Sequence, residues 1–475
     1  MFDSQTRLLL NILEILYREK KYVTVASLSN NINLERKAIS TYCTNLEANY
    51  EEIILKKGWG YKFIGGLTEY QKVRLDIIKN CQTVIILKTI FFKKNITILK
   101  LSDENFISMA STRRNIHIIN VYLKQFKVQI KTKKGQAFFS GKEENIRYCA
   151  YILFWKYLKY EKWPFYTIEH NKVRYELSNL LGNSELIIDN VTQKRWMYIF
   201  SINLIRYSQG YLIEDCFFST SNYQIFNLVR PYFKISKYVL PQKEILFMSV
   251  LAQMTPLFYL STNFGNKVLN LHKSIQTNYF YVIENLIDNL SISIPSEKLT
   301  KFRVIILSTL IRSEIFSYVG FSLTGYQTLK YFSLKFTGLS KKIDAVISAN
   351  PSIYSNYDDQ LLRAGMNEAL LFIHSPSSYE NIIIIELETD LSFGEEELLR
   401  RTLETILSLK ANIRIVHQSE HLDEQNPYKI TTLPYHKKSN VSRELVIHPS
   451  LGQKDIINLL NFVDGILNNR NLKTK

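Results

Sequence analysis

In the first 65 residues, three helical patterns of apolar positions are followed by two strand-like runs. Leucine and isoleucine recur at helical spacing over residues 6–20, which predicts an amphipathic helix. Thr24 is placed to cap a short second helix, and a third helix is predicted over Leu34–Tyr50. Two apolar runs within residues 53–65 flank a Lys-Lys-Gly turn and predict a β-hairpin. Three helices followed by a hairpin are typical of a winged helix-turn-helix domain.

The predicted third helix has an apolar face, formed by Ile39, Cys43 and Leu46, and a polar face. The polar face carries cations and hydroxyl side chains: Arg36, Lys37, Ser40, Thr41 and Thr44. Arginine and lysine reach phosphates or guanine edges, and short hydroxyl side chains let a helix lie deep in a major groove. Lys56 and Lys57, at the hairpin tip, are placed to contact a nucleic-acid backbone. A helical protein-interaction module with a solvated polar face is the alternative that this pattern leaves open.

The same order of patterns repeats after residue 66. A helical stretch covers Tyr70–Phe92, and Ser102 is placed to cap a short helix over Asp103–Met109. Ser111 or Thr112 is placed to cap the next helix. The polar face predicted for that helix carries Arg113, Arg114, His117 and Lys124, and Thr112 at its start is a further candidate contact with DNA. A second hairpin follows, with three cations at its turn: Lys131, Lys133 and Lys134. A tandem pair of winged helix-turn-helix domains is therefore the first expectation.

The distribution of charge supports a polyanion-binding N-terminal part. The net charge is +17, and residues 1–160 hold 27 Lys and Arg against 13 Asp and Glu. The remaining residues hold 33 against 30, so one end of the chain carries nearly all the excess. Such asymmetry indicates a nucleic-acid-binding module joined to a neutral body, while a basic surface kept for solubility is the alternative. A hydrophobic content of 46% over 475 residues predicts several folded domains.

Several classes of protein are disfavoured. The four cysteines (Cys43, Cys81, Cys149 and Cys216) lie far apart, which argues against zinc fingers and disulfides and favours a cytoplasmic location. The N-terminus has no cationic segment before an apolar one, so no signal peptide is expected. The uncharged stretch at residues 245–266 contains polar residues and predicts a buried helix and loop instead of a membrane span. No Walker loop, GxGxxG, HExxH or GxSxG motif is found, so no enzyme activity, cofactor or metal is expected.

Beyond residue 143 the pattern is first helical and then mixed. The predicted helices are Thr167–Leu181, Val191–Tyr207, Pro241–Tyr259, Lys267–Leu290, Pro295–Tyr318 and Tyr357–His374. After residue 376, strands are predicted at Asn381–Leu387, Asn412–His417, Tyr428–Leu433 and Glu444–His448, with helices at Glu395–Leu409 and Gln453–Leu467. This alternation predicts a small, mostly parallel sheet covered by helices. The chain is thus expected to be multidomain and mainly α.

The order of these parts, the total length and one segment resemble a known family. Residues 140–158 read SGKEENIRYCAYILFWKYL and are similar to the passage that leads from the second wing into the helical body in the Mga/AtxA class. These are stand-alone virulence transcription regulators of Gram-positive bacteria. The resemblance implies promoter DNA as a partner, activation of virulence-related genes, and a homodimer.

The resemblance also implies a domain layout. Winged helix-turn-helix domains are expected at residues 1–66 and 67–142. Two helical domains similar to those regulated by the sugar phosphotransferase system (PRD-like domains) are expected at 143–262 and 263–376. A IIB-like α/β domain, similar to a sugar-transport component and supporting dimerisation, is expected at 377–475.

Control by histidine phosphorylation is a further implication of the resemblance, with the system's phosphocarrier protein as a partner. The candidate histidines are His374 and His272, followed by His170. A catalytic IIB component needs a cysteine in the loop after its first strand, and that loop here reads ETDLSFGEEE. A phosphotransfer enzyme is therefore disfavoured. An RNA-binding antiterminator under phosphotransferase control is the other alternative function, because such proteins also use paired helical domains.

Overall fold

A computed structural model describes residues 1–181, 190–213, 241–261, 263–290, 292–316, 337–417, 428–433 and 443–473. Helices form most of this described part. The chain divides into two compact units, residues 1–280 with 310–327, and residues 281–309 with 328–475. In the described part, no helix is both long and apolar enough to span a bilayer.

The first module, residues 4–63, consists of three helices and a hairpin. Its elements are α1 (Ser4–Arg18), α2 (Val25–Ile32), α3 (Arg36–Asn49), β1 (Ile53–Lys56) and β2 (Gly60–Phe63). The helix cap predicted at Thr24 is present, since its hydroxyl accepts a hydrogen bond from the Ser27 amide at 3.2 Å. The apolar stripes of the three helices meet in one core that includes Ile12, Leu28 and Cys43.

The second module, residues 82–140, repeats this order after one additional helix. The additional helix is α4 (Leu67–Lys79). The elements of the module are α5 (Gln82–Phe92), β3 (Ile96–Thr97), α6 (Ile98–Glu104), α7 (Met109–Leu123), β4 (Gln129–Lys133) and β5 (Gln136–Ser140). The three strands form an antiparallel sheet in the order β3-β5-β4.

Two predicted helix boundaries between residue 66 and α7 are wrong. The stretch Tyr70–Phe92 is two helices, because the chain turns at Asn80 and Cys81. Ser102 does not cap a helix over Asp103–Met109. It is buried near the end of α6, and Thr97 caps that helix by accepting a hydrogen bond from the Lys100 amide at 3.1 Å.

The helical part that follows consists of α8 (Glu143–Leu158), α9 (His170–Leu181), α10 (Asn190–Ser208), α11 (Gln242–Gln253), α12 (Pro256–Ser261), α13 (Asn263–Ser274), α14 (Asn278–Asn289) and α15 (Ser296–Ile315). Two of the predicted long helices are each divided in two. Pro256 begins α12 within the stretch Pro241–Tyr259, and Gln276, which has a positive φ of 45°, separates α13 from α14.

Within residues 337–473, three helices precede a layer of strands and helices. The helices are α16 (Thr337–Ala349), α17 (Pro351–Tyr354) and α18 (Asp359–Ile373). The elements after them are β6 (Ile383–Glu388), α19 (Phe393–Leu407), β7 (Ile413–His417), β8 (Tyr428–Thr431), β9 (Glu444–Val446) and α20 (Gln453–Lys473). The four strands pair in parallel in the order β7-β6-β8-β9, and α19 and α20 pack on them through residues such as Leu403 and Val463.

Candidate nucleic-acid interface

The two modules have the same local construction. Thr24 and Thr97 cap the second helix of each module. The residue before each cap pairs with the second hairpin strand, Val23 with Tyr61 and Ile96 with Ala137. These hydrogen bonds fix each hairpin against its helices. In both modules the wing is therefore held in a defined position beside the third helix.

The turn between the second and third helices is also repeated. The Ser29 hydroxyl donates to the Leu34 carbonyl at 2.5 Å, and the Ser102 hydroxyl donates to the Ile107 carbonyl at 2.6 Å. Asn33 and Phe106 occupy equivalent left-handed positions, with φ of 58° and 52°. From Val23 and Ile96 onward, each residue of the second module lies 73 positions after its counterpart in the first module, through the third helix. This register aligns the two third helices residue by residue.

The polar face of α3 is exposed as predicted from the sequence. Arg36, Lys37, Ser40, Thr41 and Thr44 are all exposed, whereas Ile39, Cys43 and Leu46 are buried. The Thr44 hydroxyl lies 3.2 Å from the Tyr61 hydroxyl, so the outer face of α3 is continuous with the wing. Lys56 and Lys57, in that wing, are exposed.

The alignment of α7 with α3 shows that one predicted site residue on α7 is wrong. Arg113, Arg114 and His117 are exposed, and they align with Ser40, Thr41 and Thr44 of α3. Thr112 aligns with the buried Ile39, is itself 0% exposed, and donates its hydroxyl hydrogen to the Ser108 carbonyl at 3.1 Å.

Thr112 therefore packs inward and is not placed to contact nucleic acid. The helix begins three residues earlier than predicted. Its cap is Ser108, whose hydroxyl accepts a hydrogen bond from the Ser111 amide at 3.1 Å.

The second wing has a short turn with exposed cations. Lys134 and Gly135 have φ of 49° and 76° and connect β4 to β5 as a two-residue turn. Lys131, Lys133 and Lys134 are exposed on it. Within the described residues, the proposed arginines and lysines of both modules form no ion pair with a carboxylate. In contrast, Arg363 and Arg401 of the second unit are paired with acidic side chains. The proposed contact residues are thus available to a polyanion.

An aromatic group at the first wing was missed by sequence reasoning. Trp59 lies in the turn between β1 and β2 and is 60% exposed. The Lys56 ammonium lies 4.2 Å from the centroid of the Trp59 ring. Tyr22 packs edge-on to Trp59, with ring centroids 6.4 Å apart. The signal in the sequence was a tryptophan between two glycines in a basic hairpin.

A buried ionic network joins α8, which follows the second wing, to the helical part. Arg147 is 1% exposed and its guanidinium donates to Glu143 at 2.9 Å, to Glu244 at 2.5 Å and to Asn203 at 2.9 Å. Arg206 contacts the same Glu143 carboxylate at 2.6 Å. These residues come from α8, α10 and α11, so the network attaches the segment after the second module to two helices of the body.

The three candidate histidines have different surroundings. His272 is 0% exposed, and its ring nitrogens lie 3.0 Å from the Thr277 hydroxyl and 3.1 Å from the Gln253 side-chain oxygen. Burial lowers the pKa of His272 to about 4. His374 is half-buried just after α18, with a ring nitrogen 3.3 Å from the Ser293 carbonyl. His170 is exposed at the start of α9.

Comparison with known proteins connects these features to a class of regulators. The family model described as the Mga helix-turn-helix domain matches residues 68–154, which include α5 to α7, the second wing and most of α8. The capsule synthesis positive regulator AcpB of Bacillus anthracis is 24% identical over 212 residues, 43% of each chain. The capsule synthesis positive regulator AcpA of the same organism is 20% identical over 211 residues, again 43% of each chain.

These matches therefore cover less than half the length of the curated relatives. The relatives are regulators and not enzymes, which agrees with the expectation that this chain is not an enzyme. The chain carries a Mga helix-turn-helix domain and is related to the Mga/AtxA-type transcription regulators.

Proposed function

We propose that this chain is a DNA-binding transcription regulator that contacts promoter DNA through both N-terminal modules. The observation that carries the proposal is the repeated geometry of an exposed third helix fixed beside a basic wing. The helices α3 and α7 present their polar faces in the same register, and the cations on them and on the wings have no carboxylate partner among the described residues. The Mga helix-turn-helix match over the second module supports this function.

In the proposed binding mode, α3 and α7 enter major grooves and the wings contact the flanking backbone. Arg113 and Arg114 are the side chains on α7 best suited to guanine edges or phosphates. At the equivalent positions α3 carries Ser40 and Thr41, and its cations Arg36 and Lys37 lie one turn earlier. The two helices therefore differ in where they place charge, which favours two dissimilar DNA half-sites.

The finer parts of the proposal rest on the resemblance and on the relatives. The relatives are described as positive regulators, which supports a role as an activator, here of virulence-related genes. We include homodimerisation and the five-domain layout, with two PRD-like domains and a IIB-like C-terminal domain. Control by histidine phosphorylation through the phosphocarrier protein is also included, with His374 and His170 more accessible than His272.

Replacing Arg113 and Arg114 by alanine is expected to weaken duplex binding at least tenfold. If both side chains contact phosphates, the slope of log K against log salt should fall by about 2, because each neutralised phosphate contributes ~0.9. Fluorescence anisotropy of labelled promoter-length DNA over a salt series measures both quantities. The double variant Lys341→Ala, Lys454→Ala removes the same charge at exposed positions of the second unit and should leave affinity and slope unchanged. Equal effects of the two double variants would contradict the assignment of α7.

The function itself is tested with the full chain, comparing duplex DNA with a hairpin RNA of equal length. Deleting residues 1–140 is a poor control because α8 packs against α5, with Phe154 and Phe91 ring centroids 5.0 Å apart. The deletion would expose this apolar contact and destabilise the remainder. Point variants on α3 and α7 avoid the problem. Preference for the hairpin RNA would overturn the proposal and favour the antiterminator alternative.

A further inference from the structure

We propose that Trp59, at the tip of the first wing, inserts into the minor groove beside the α3 site and stacks against the exposed bases. The inference rests on the proposed DNA-binding function and adds to it a second kind of contact. Lysines on a wing neutralise phosphates, whereas an inserted aromatic ring responds to the stacking and deformability of the base step. The first wing would then contribute to the choice of DNA sequence.

Trp59 is far more exposed than Trp155 and Trp196 of the same chain. Trp155 and Trp196 are 3% and 4% exposed, and the Trp163 ring nitrogen donates to the Ile168 carbonyl at 2.7 Å. Trp59, in contrast, is 60% exposed. A tryptophan left largely in water at the tip of a hairpin adds little to the protein core. Its large rigid ring is well suited to a contact made on binding.

The backbone holds this ring at a fixed place. Gly58 and Gly60 on either side have φ of +83° and +102°, and the Trp59 amide donates to the Lys56 carbonyl at 2.9 Å. A Cβ on Gly60 would lie 2.1 Å from the Val23 carbonyl oxygen, so only glycine allows β2 to approach the strand residue before α2 this closely. The turn is therefore tightly specified, and it projects Trp59 from the end of the hairpin.

The surrounding charge identifies nucleic acid as the occupant. Lys56 lies over the Trp59 ring, the Lys62 ammonium lies 5.8 Å from the Tyr22 ring centroid, and Lys57 is exposed beside them. An apolar protein pocket closing on Trp59 would take these ammonium groups out of water without a partner. A base step places a stacking surface next to phosphates, which matches an aromatic ring bordered by lysines.

The position of the first wing relative to α3 is compatible with DNA as the partner of Trp59. The hydroxyls of Thr44 on α3 and Tyr61 on β2 lie 3.2 Å apart, so the wing begins where the proposed major-groove surface ends. The second wing differs, since its two-residue turn, Lys134 and Gly135, carries no aromatic side chain and follows Lys133, the last residue of β4. The two wings thus separate two tasks, stacking at the first and phosphate binding at the second.

The comparison of two sets of variants tests the inference. Trp59→Ala is expected to weaken duplex binding about tenfold with an unchanged salt slope, because stacking releases no counterions. Trp59→Phe should recover part of the affinity. Lys133→Ala with Lys134→Ala should weaken binding and also lower the slope by about 2. Equal melting temperatures of the free proteins would show that the wing substitutions leave the fold intact.

Fluorescence measures directly whether the Trp59 ring becomes shielded from solvent on DNA binding. The difference between the wild-type and Trp59→Phe emission isolates Trp59, and duplex DNA should protect this emission from acrylamide. A 2-aminopurine moved step by step along the duplex should, at one base step, change its emission on binding of the wild type and not of Trp59→Ala. Wild-type binding with an unprotected Trp59, or a Trp59→Ala variant that binds as the wild type does, would overturn the insertion and leave the DNA-binding function standing. A lowered salt slope in Trp59→Ala would also overturn it, since the ring would then only position lysines. Absence of wild-type duplex binding would overturn both proposals.

Discussion

Replacing Arg147 by methionine is expected to lower the free energy of unfolding of the α8 region by about 3–5 kcal/mol. The guanidinium is 1% exposed and is the partner of Glu244, which is 2% exposed. Removing it leaves the Glu244 carboxylate buried, and among the described residues the Ile213 amide, at 3.0 Å from one carboxylate oxygen, is its one remaining donor. A buried charge that loses its partner retains its desolvation penalty, which is why the cost exceeds that of an ordinary hydrogen bond.

Thermal unfolding and hydrogen exchange of α8 and α10 measure this effect. Arg363→Met is the matched control, because Arg363 lies on the surface of α18 and its ion pairs with Asp344 and Asp359 are partly exposed. Its cost should stay below about 1 kcal/mol. Adding Glu244→Leu to Arg147→Met should recover part of the stability, since the unpaired carboxylate is removed. An Arg147 variant as stable as the Arg363 variant would contradict the network's role.

The same variant should also increase hydrogen exchange in the second module. α8 packs on α5 through aromatic rings, and the Gln209 side chain donates to the Phe91 carbonyl at 3.0 Å, close to the end of α5. Helix α10, which carries Arg206 of the network, ends beside Gln209. Loosening α8 and α10 therefore removes packing from the helix that supports α7.

Lowering the pH from 6.5 towards 4 is expected to destabilise the surroundings of His272 by up to ~3 kcal/mol. Burial lowers the pKa of this imidazole from 6.5 to about 4, so the folded protein keeps it neutral while the unfolded chain takes up a proton below pH 6.5. The unfolded state then binds more protons, and stability falls as the pH falls through this window. Above pH 6.5 the imidazole is neutral in both states and the loss disappears.

Thermal unfolding at pH 7 and pH 4.5 of His272→Gln and of the wild type tests this prediction. The variant is expected to lose less stability than the wild type between the two pH values, whatever its stability at pH 7. His170→Gln, at an exposed position, should behave as the wild type does. Identical pH dependence in all three proteins would contradict the prediction. The same burial means that phosphorylation of His272 requires local opening, because the Gln253 and Thr277 side chains occupy both ring nitrogens.

Much of the N-terminal architecture could be predicted because its signals are local. The helices of the first module have one apolar face, and Thr24 and the Lys-Lys-Gly turn mark their boundaries. The exposed face of α3 follows directly from this periodicity. Helix α10 (Asn190–Ser208) was also predicted to within one residue at each end, as Val191–Tyr207. Helix α8 was not among the predicted helices, because most of its surface is buried and its apolar pattern has no single face.

The candidate site was predicted in part. All the proposed contact residues except Thr112 are exposed, but whether they touch DNA stays a prediction. Thr112 was wrongly predicted to face DNA for two reasons. The predicted start of α7 was three residues too late, because Ser111 and Thr112 were taken as the capping candidates. A threonine is also compatible with either an exposed or a buried position. Aligning the two modules would have found the error, since Ile39 is its counterpart. Trp59 was passed over because exposure of an aromatic residue depends on the hairpin turn.

Local sequence patterns were enough to predict the order of helices and hairpins in the first third, its concentration of positive charge and the exposed polar faces of α3 and α7. These follow from short-range periodicity and from residue chemistry, which act within a few turns of the chain. Contacts between distant residues, in contrast, are visible only in the folded chain. Arg147 contacts Glu244, 97 positions away, His272 is enclosed between Gln253 and Thr277, and Gly60 packs against Val23. Such contacts depend on how separate elements pack, and burial then sets the energies of the charged groups they enclose.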